Sequence, residues 1–180
     1  MAPRFRRSSL HKEAFSRDPW NLDSRIISSL KAIDAVNELS AHFGVIYTLI
    51  QDERIRDEIL VIQSDLVDLC NLIANASIEE KPPSKKARTH VENMIDFFSS
   101  DHINEMQRTP IISDSLLVNY IYLARAVCKR AEHAVIFMQK DQTVNQDIML
   151  YLSRLSNLLF LFARFITMIE AESHSHTVYQ

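Results

Sequence analysis

Apolar residues recur at helical spacing along most of this chain. Ile26, Ile27, Leu30, Ile33, Val36, Leu39 and Phe43 follow that period. They predict a helix from a cap at Asn21 or Asp23 to about Ile50. Gly44 costs that helix roughly 1 kcal/mol relative to alanine, a cost that close packing against another helix would offset. After the charged break QDERIRDE, a second helix presents Ile55, Ile59, Leu60, Ile62, Leu66, Leu69, Cys70 and Ile73. Pro82-Pro83, which cannot continue a helix, makes residues 75–87 the clearest linker. A third helix is expected over roughly 88–106, with Val91, Met94, Ile95, Phe98 and Ile103 inward. Ser113 or Asp114 is placed to cap a fourth helix over about 115–139. Asp141 or Thr143 is placed to cap a fifth, ending near 171. No alternating strand pattern competes, and no solenoid repeat is visible. The expectation is an all-α five-helix bundle over residues 21–172. An irregular arm (1–20), which Trp20 pins to the body, precedes it, and a loose polar tail (173–180) follows.

Composition narrows the chemistry. The chain of 180 residues holds one glycine, which excludes Gly-rich phosphate cradles and turn-rich all-β folds. A net charge of −3 gives no drive toward nucleic acid. No apolar run approaches the roughly 18 residues of a membrane span, so neither partner is expected. Cys70 and Cys128, in apolar helical contexts without CxxC, read as buried reduced thiols. The acid-free start MAPRFRRSSLHK reads as a frayed basic tail and the chain as cytoplasmic. A short transit-like segment, and with it a mitochondrial location, is the alternative. Lys81, Lys85, Lys86 and Arg88 read as a solvated linker. His174 and His176 lack a third ligand, so no metal site is assigned. His133 reads as a partly exposed helix histidine.

The fourth helix carries an exception to its apolar surroundings. Arg125, Lys129 and Glu132 fall on one face, four and then three residues apart. Charged heads on so apolar a helix must pair with each other, meet a partner helix or line a pocket. An ion-pair network between helices or subunits is one reading; a ligand site is the other.

The stretch Ala124-Arg125-Ala126-Val127-Cys128-Lys129-Arg130-Ala131-Glu132, followed by Leu152-Ser153-Arg154-Leu155-Ser156-Asn157-Leu158-Leu159-Phe160 and Ala163-Arg164, resembles the signature of the PduO-type ATP:cob(I)alamin adenosyltransferases. That signature runs approximately ARxVCRRAE, then LNRLSDLLFxLAR. Upstream, IQSDLVDLCNLIA and AVNELSAHFG resemble the family's second-helix and VDELNSxLG segments, extending the likeness over roughly residues 24–170. The resemblance implies a trimeric five-helix bundle that moves the 5′-deoxyadenosyl group of ATP onto reduced cobalamin and releases triphosphate. ATP, Mg²⁺ and cobalamin are the implied ligands. Arg125, Lys129, Arg130, Glu132, Ser153 and Arg154 are the implied nucleotide residues, with Asn37, Glu38 and Asn157 in support.

Three departures accompany the likeness. The family's glycine-rich triphosphate loop, approximately TGDDGTTGL, has no counterpart, and Arg4, Arg6, Arg7, Ser8 and Ser9 cannot reproduce its backbone nest. Asn37 replaces the aspartate that pairs with the arginine at 125, while Ser153 and Asn157 replace an asparagine and an aspartate. Thr109 stands where the family has an aromatic residue beside the corrin, and Ser113-Asp114 replace two glycines. Two readings follow: an active adenosyltransferase, or a non-catalytic helical scaffold that binds a corrinoid, a nucleotide or a protein. Product formation from ATP and reduced cobalamin separates them.

Overall fold

The structure, a computed structural model, describes residues 23–75, 84–99 and 113–177, with side chains 54, 84–85 and 172–177 outside it. The basic arm, Trp20, Asn21, Pro82-Pro83, Ile103 and Thr109 therefore lie outside the described residues. Within them are five helices: α1 Ser24–Leu49, α2 Glu53–Ala74, α3 Ser84–Ser99, α4 Leu116–Met138 and α5 Gln146–Thr177. The all-α bundle expected from the periodicity is what forms.

The caps refine the expected boundaries. Asp23 caps α1, its carboxylate accepting the Arg25 N–H at 3.0 Å. Ser115, rather than Ser113 or Asp114, caps α4, accepting the Val118 N–H at 3.3 Å. Ser113 sits one step back, its hydroxyl accepting the Ser115 N–H at 3.1 Å. At α5 the acceptor is Asn145, not Asp141 or Thr143; its side chain takes the Asp147 N–H at 2.9 Å. The Asp141 and Gln142 N–H groups instead close the end of α4 onto the Met138 carbonyl. The third helix starts at Ser84, four residues before the expected 88, directly after the two prolines. The fifth continues to Thr177 and takes His174 and His176 into the helix. Neither glycine nor proline occurs after Pro110 to stop it.

α1 packs broadly on α2 and α4, α4 on α5, and α5 on α3, whereas α2 and α3 barely touch. α4 and α5 run antiparallel. The Cys128 thiol donates to the Leu152 carbonyl at 3.2 Å, and the Ser115 hydroxyl donates to Glu170 at 2.8 Å. Val36, Leu39 and Phe43 of α1 meet Ile121 and Ala124 of α4 and Leu155 and Leu159 of α5 in a core closed to solvent. Ala124, Cys128 and Ala131 are small enough for helices to approach α4 from both sides. The inward stripe is narrower than the pattern suggested: Ile27 and Leu60 are exposed, Leu30 and Cys70 half-buried. Close helix packing does not offset the cost of Gly44. A methyl group there would sit 3.7 Å from Gln63 Nε2, an ordinary distance. Among the described helices α5 alone is long and apolar enough, over Gln146–Ala171, to cross a membrane. Half of that stretch is buried inside the bundle, which makes it a core helix.

Candidate functional site

The α4–α5 seam gathers most of the expected site residues. Arg125, Lys129 and Glu132 share one face of α4, all half-buried. On α5, Ser153, Asn157, Phe160 and Arg164 recur four, three and four residues apart and share a face by the same geometry. The two faces join at Phe160. The Arg125 guanidinium lies 5.3 Å from its ring centroid, and that of Arg164 lies 5.7 Å away. A cation over an aromatic face is held by the ring quadrupole. The antiparallel register then carries Lys129 and Glu132 toward the Ser153 end of α5.

The charges are unevenly satisfied. Lys129 donates to Glu132 at 2.7 Å, a pair within one helix whose carboxylate is nearly buried. Arg125 has no ion pair among the described residues, and its buried Nε has no hydrogen-bond partner. Leaving such a donor unpaired costs about 1–3 kcal/mol, more for a charged group. A charged acceptor beside Arg125 removes that cost.

The remaining site residues do not join this face. Arg130 lies roughly 140° round the helix from Arg125 and pairs with Glu38 of α1. That bridge joins α4 to α1 outside the Arg125–Lys129–Glu132 stripe. Arg154 turns toward α3 and meets Glu92 at 3.4 Å. Asn37 faces α2, where its side-chain oxygen accepts from the Cys70 thiol at 3.5 Å. Position 37 thus faces α2, while Glu38 engages α4.

Burial raises several titratable groups on α2, α4 and α5. Burial, reinforced by Glu132, pushes the Cys128 thiol up to about 12. Burial and Asp34 push Cys70 up to about 11. Both thiols are therefore poor nucleophiles. The Tyr151 hydroxyl donates to Asp65 at 3.2 Å, tying α5 to α2. Desolvation raises the Asp65 carboxyl, and burial raises Tyr151 well above its ordinary value. Among the described residues no three His, Cys, Asp or Glu side chains gather for a metal ion. Glu132 is the carboxylate nearest the cationic face, and one carboxylate with substrate phosphates is a usual Mg²⁺ arrangement.

Sequence reasoning missed Phe160 and Arg164 as members of the site. The signal was present, since both continue the α5 face set by Ser153 and Asn157. It also missed a cavity of ≈ 540 Å³ where α2 and α3 part, lined by Met94, Phe97, Phe98, Phe162, Phe165 and Met168. Nothing in the helical period marks a gap between helices.

Comparison with known proteins agrees with this architecture. Residues 26–166 match the cobalamin adenosyltransferase family profile. A cobalamin adenosyltransferase from Cupriavidus metallidurans is 30% identical over 142 residues, covering 74% of this chain and 71% of the relative. The corrinoid adenosyltransferase of Bacillus subtilis is 25% identical over 153 residues, covering 80% and 75%. A variant of the PduO-type ATP:corrinoid adenosyltransferase from Lactobacillus reuteri, complexed with cobalamin and ATP, aligns with a TM-score of 0.72 at 22% identity. That alignment covers 80% of each chain.

Proposed function

The chain belongs to the cobalamin adenosyltransferase family, and on that premise we propose that it transfers the 5′-deoxyadenosyl group of ATP to cob(I)alamin. The C5′–O bond breaks with its electron pair leaving on triphosphate. Reduced cobalt supplies the pair for the new cobalt–carbon bond.

Arg125 carries this reading. It is stacked on Phe160, with a buried Nε that no group among the described residues satisfies. Such a cation suits a triphosphate oxygen. Lys129 adds a second charge on the same face but lacks the fork geometry of arginine. Glu132 holds Lys129 in place and is the carboxylate that would meet the hydration shell of a bound Mg²⁺. Ser153, four residues before Asn157 on the facing helix, borders the nucleotide end. Arg130 and Arg154, engaged by Glu38 and Glu92, act as supports that fix α4 and α5.

Homotrimeric assembly belongs to the same reading. So does the division into a basic arm before residue 21 and a bundle after it. Two free cysteines fit a reducing compartment such as the cytoplasm. The test mixes the protein with ATP, Mg²⁺ and chemically reduced cobalamin and follows adenosylcobalamin by absorbance. Product above a heat-killed control is expected. No product, together with no thermal shift from ATP, rejects the reading and leaves a non-catalytic scaffold.

A further inference from the structure

The cavity between α2, α3 and α5 is chemically unlike the α4–α5 face. Phe98 stands at its centre, edge-to-face with Phe97, Phe162 and Phe165 at centroid distances of 5.2, 5.0 and 5.1 Å. Met94 and Met168 complete an aromatic–sulfur lining. The polar lining groups are Asp52 before α2, Glu58 on α2, His90 and Asn93 on α3 and Arg164 on α5, and His90 Nε2 meets Glu58 at 2.7 Å. Donation of the Nε2 hydrogen to Glu58 ties α3 to α2 beside the cavity. Arg164 lines the cavity and also lies over Phe160. The cavity therefore adjoins the proposed nucleotide face through one side chain.

The volume of ≈ 540 Å³ is ordinary for a small-ligand pocket. It suits a flat fused ring and is too small for a whole corrinoid. Cobalt(I) is a d⁸ ion with a filled axial orbital and does not hold a nitrogen base on its lower face. A cob(I)alamin substrate therefore carries its dimethylbenzimidazole unligated: a flat ring with two methyl groups and one basic nitrogen. We propose that this cavity receives that free base, stacking it among Phe97, Phe98 and Phe165. The inference rests on the corrinoid reading above. Adenine shares the flat fused-ring shape, but it carries a full donor–acceptor edge that a predominantly apolar lining leaves mostly unpaired. The lining thus selects the methylated base.

Phe97 is 72% exposed, so Phe97→Ala removes a wall without opening the core. Free 5,6-dimethylbenzimidazole, followed by its own fluorescence, is expected to bind the full chain saturably. Phe97→Ala is expected to weaken that binding on the order of tenfold, the scale of one lost base–aromatic stack. With reduced corrinoids, the variant is expected to raise the KM for cobalamin about as much. It should leave unchanged the KM for cobinamide, which lacks the base. Equal effects on both corrinoids, no binding of the free base, or its displacement by adenine overturns the inference. Failure of the wild-type chain to turn over either corrinoid defeats the adenosyltransferase reading instead. The fluorescence titration then decides alone: saturable binding supports the pocket's ligand class, and its absence overturns it.

Discussion

The two flanks of α5 are built on opposite plans. Toward α4, small residues draw the helices together, and charged side chains emerge along the seam around Arg125 and Phe160. Toward α3, bulky aromatics stand apart and leave a cavity beside α2. Close packing fixes the position of a charged group, so the first flank suits recognition of an anion whose oxygens need placed donors. An aromatic gap adapts to a flat ring through stacking, so the second suits an apolar base. One helix can thus serve two chemically different parts of a reaction.

The largest expected effect tests whether the α4 flank is the rigid one. Leu155→Ala, at a completely buried α5 position, should lower unfolding free energy by roughly 2–5 kcal/mol. The same change at Leu60, 48% exposed on α2, should stay within about 0.5 kcal/mol. Similar losses in urea melts would erase the distinction. Next, Arg125→Ala should raise the dissociation constant for ATP by roughly 10- to 100-fold, as expected for a charge-assisted contact of about 1.5–3 kcal/mol. It should also loosen assembly. Unchanged binding, melting and native mass together would make the α4 face ordinary surface.

A smaller effect addresses α1 and α2. Because a methyl group fits at Gly44, Gly44→Ala should stabilise the chain by up to about 1 kcal/mol. A loss would mean a closer helix contact than the structure holds. The smallest effect depends on pH. Asp65 has a raised folded-state value, so as pH rises the unfolded chain ionises first. Stability from this residue therefore falls between the ordinary 3.8 and the raised value. Asp65→Asn, which can still accept from Tyr151, should flatten that fall. An unchanged slope in acid-range melts would remove Asp65 as its source.

Periodicity disclosed the helices because burial repeats along each one, and α1, α4 and α5 fall where Ile33, Val127 and Leu155 place them. It misplaced the caps at Ser115 and Asn145 because several acceptors precede each helix and only backbone geometry selects among them. Helical spacing put Arg125, Lys129 and Glu132 together correctly. Motif likeness alone grouped Arg130 and Arg154 with them, although each turns to a different neighbour. The cavity was hidden because it arises from a weak contact between α2 and α3, a relation that neither helix carries alone.

The central claim is that the α4–α5 face holds a triphosphate. Isothermal titration of the wild-type chain and of Arg125→Ala with Mg²⁺·ATP tests it most directly. Saturable binding by the wild type, weakened at least about tenfold in the variant, is the predicted result. Equal binding by both proteins, or none by the wild type, would contradict it.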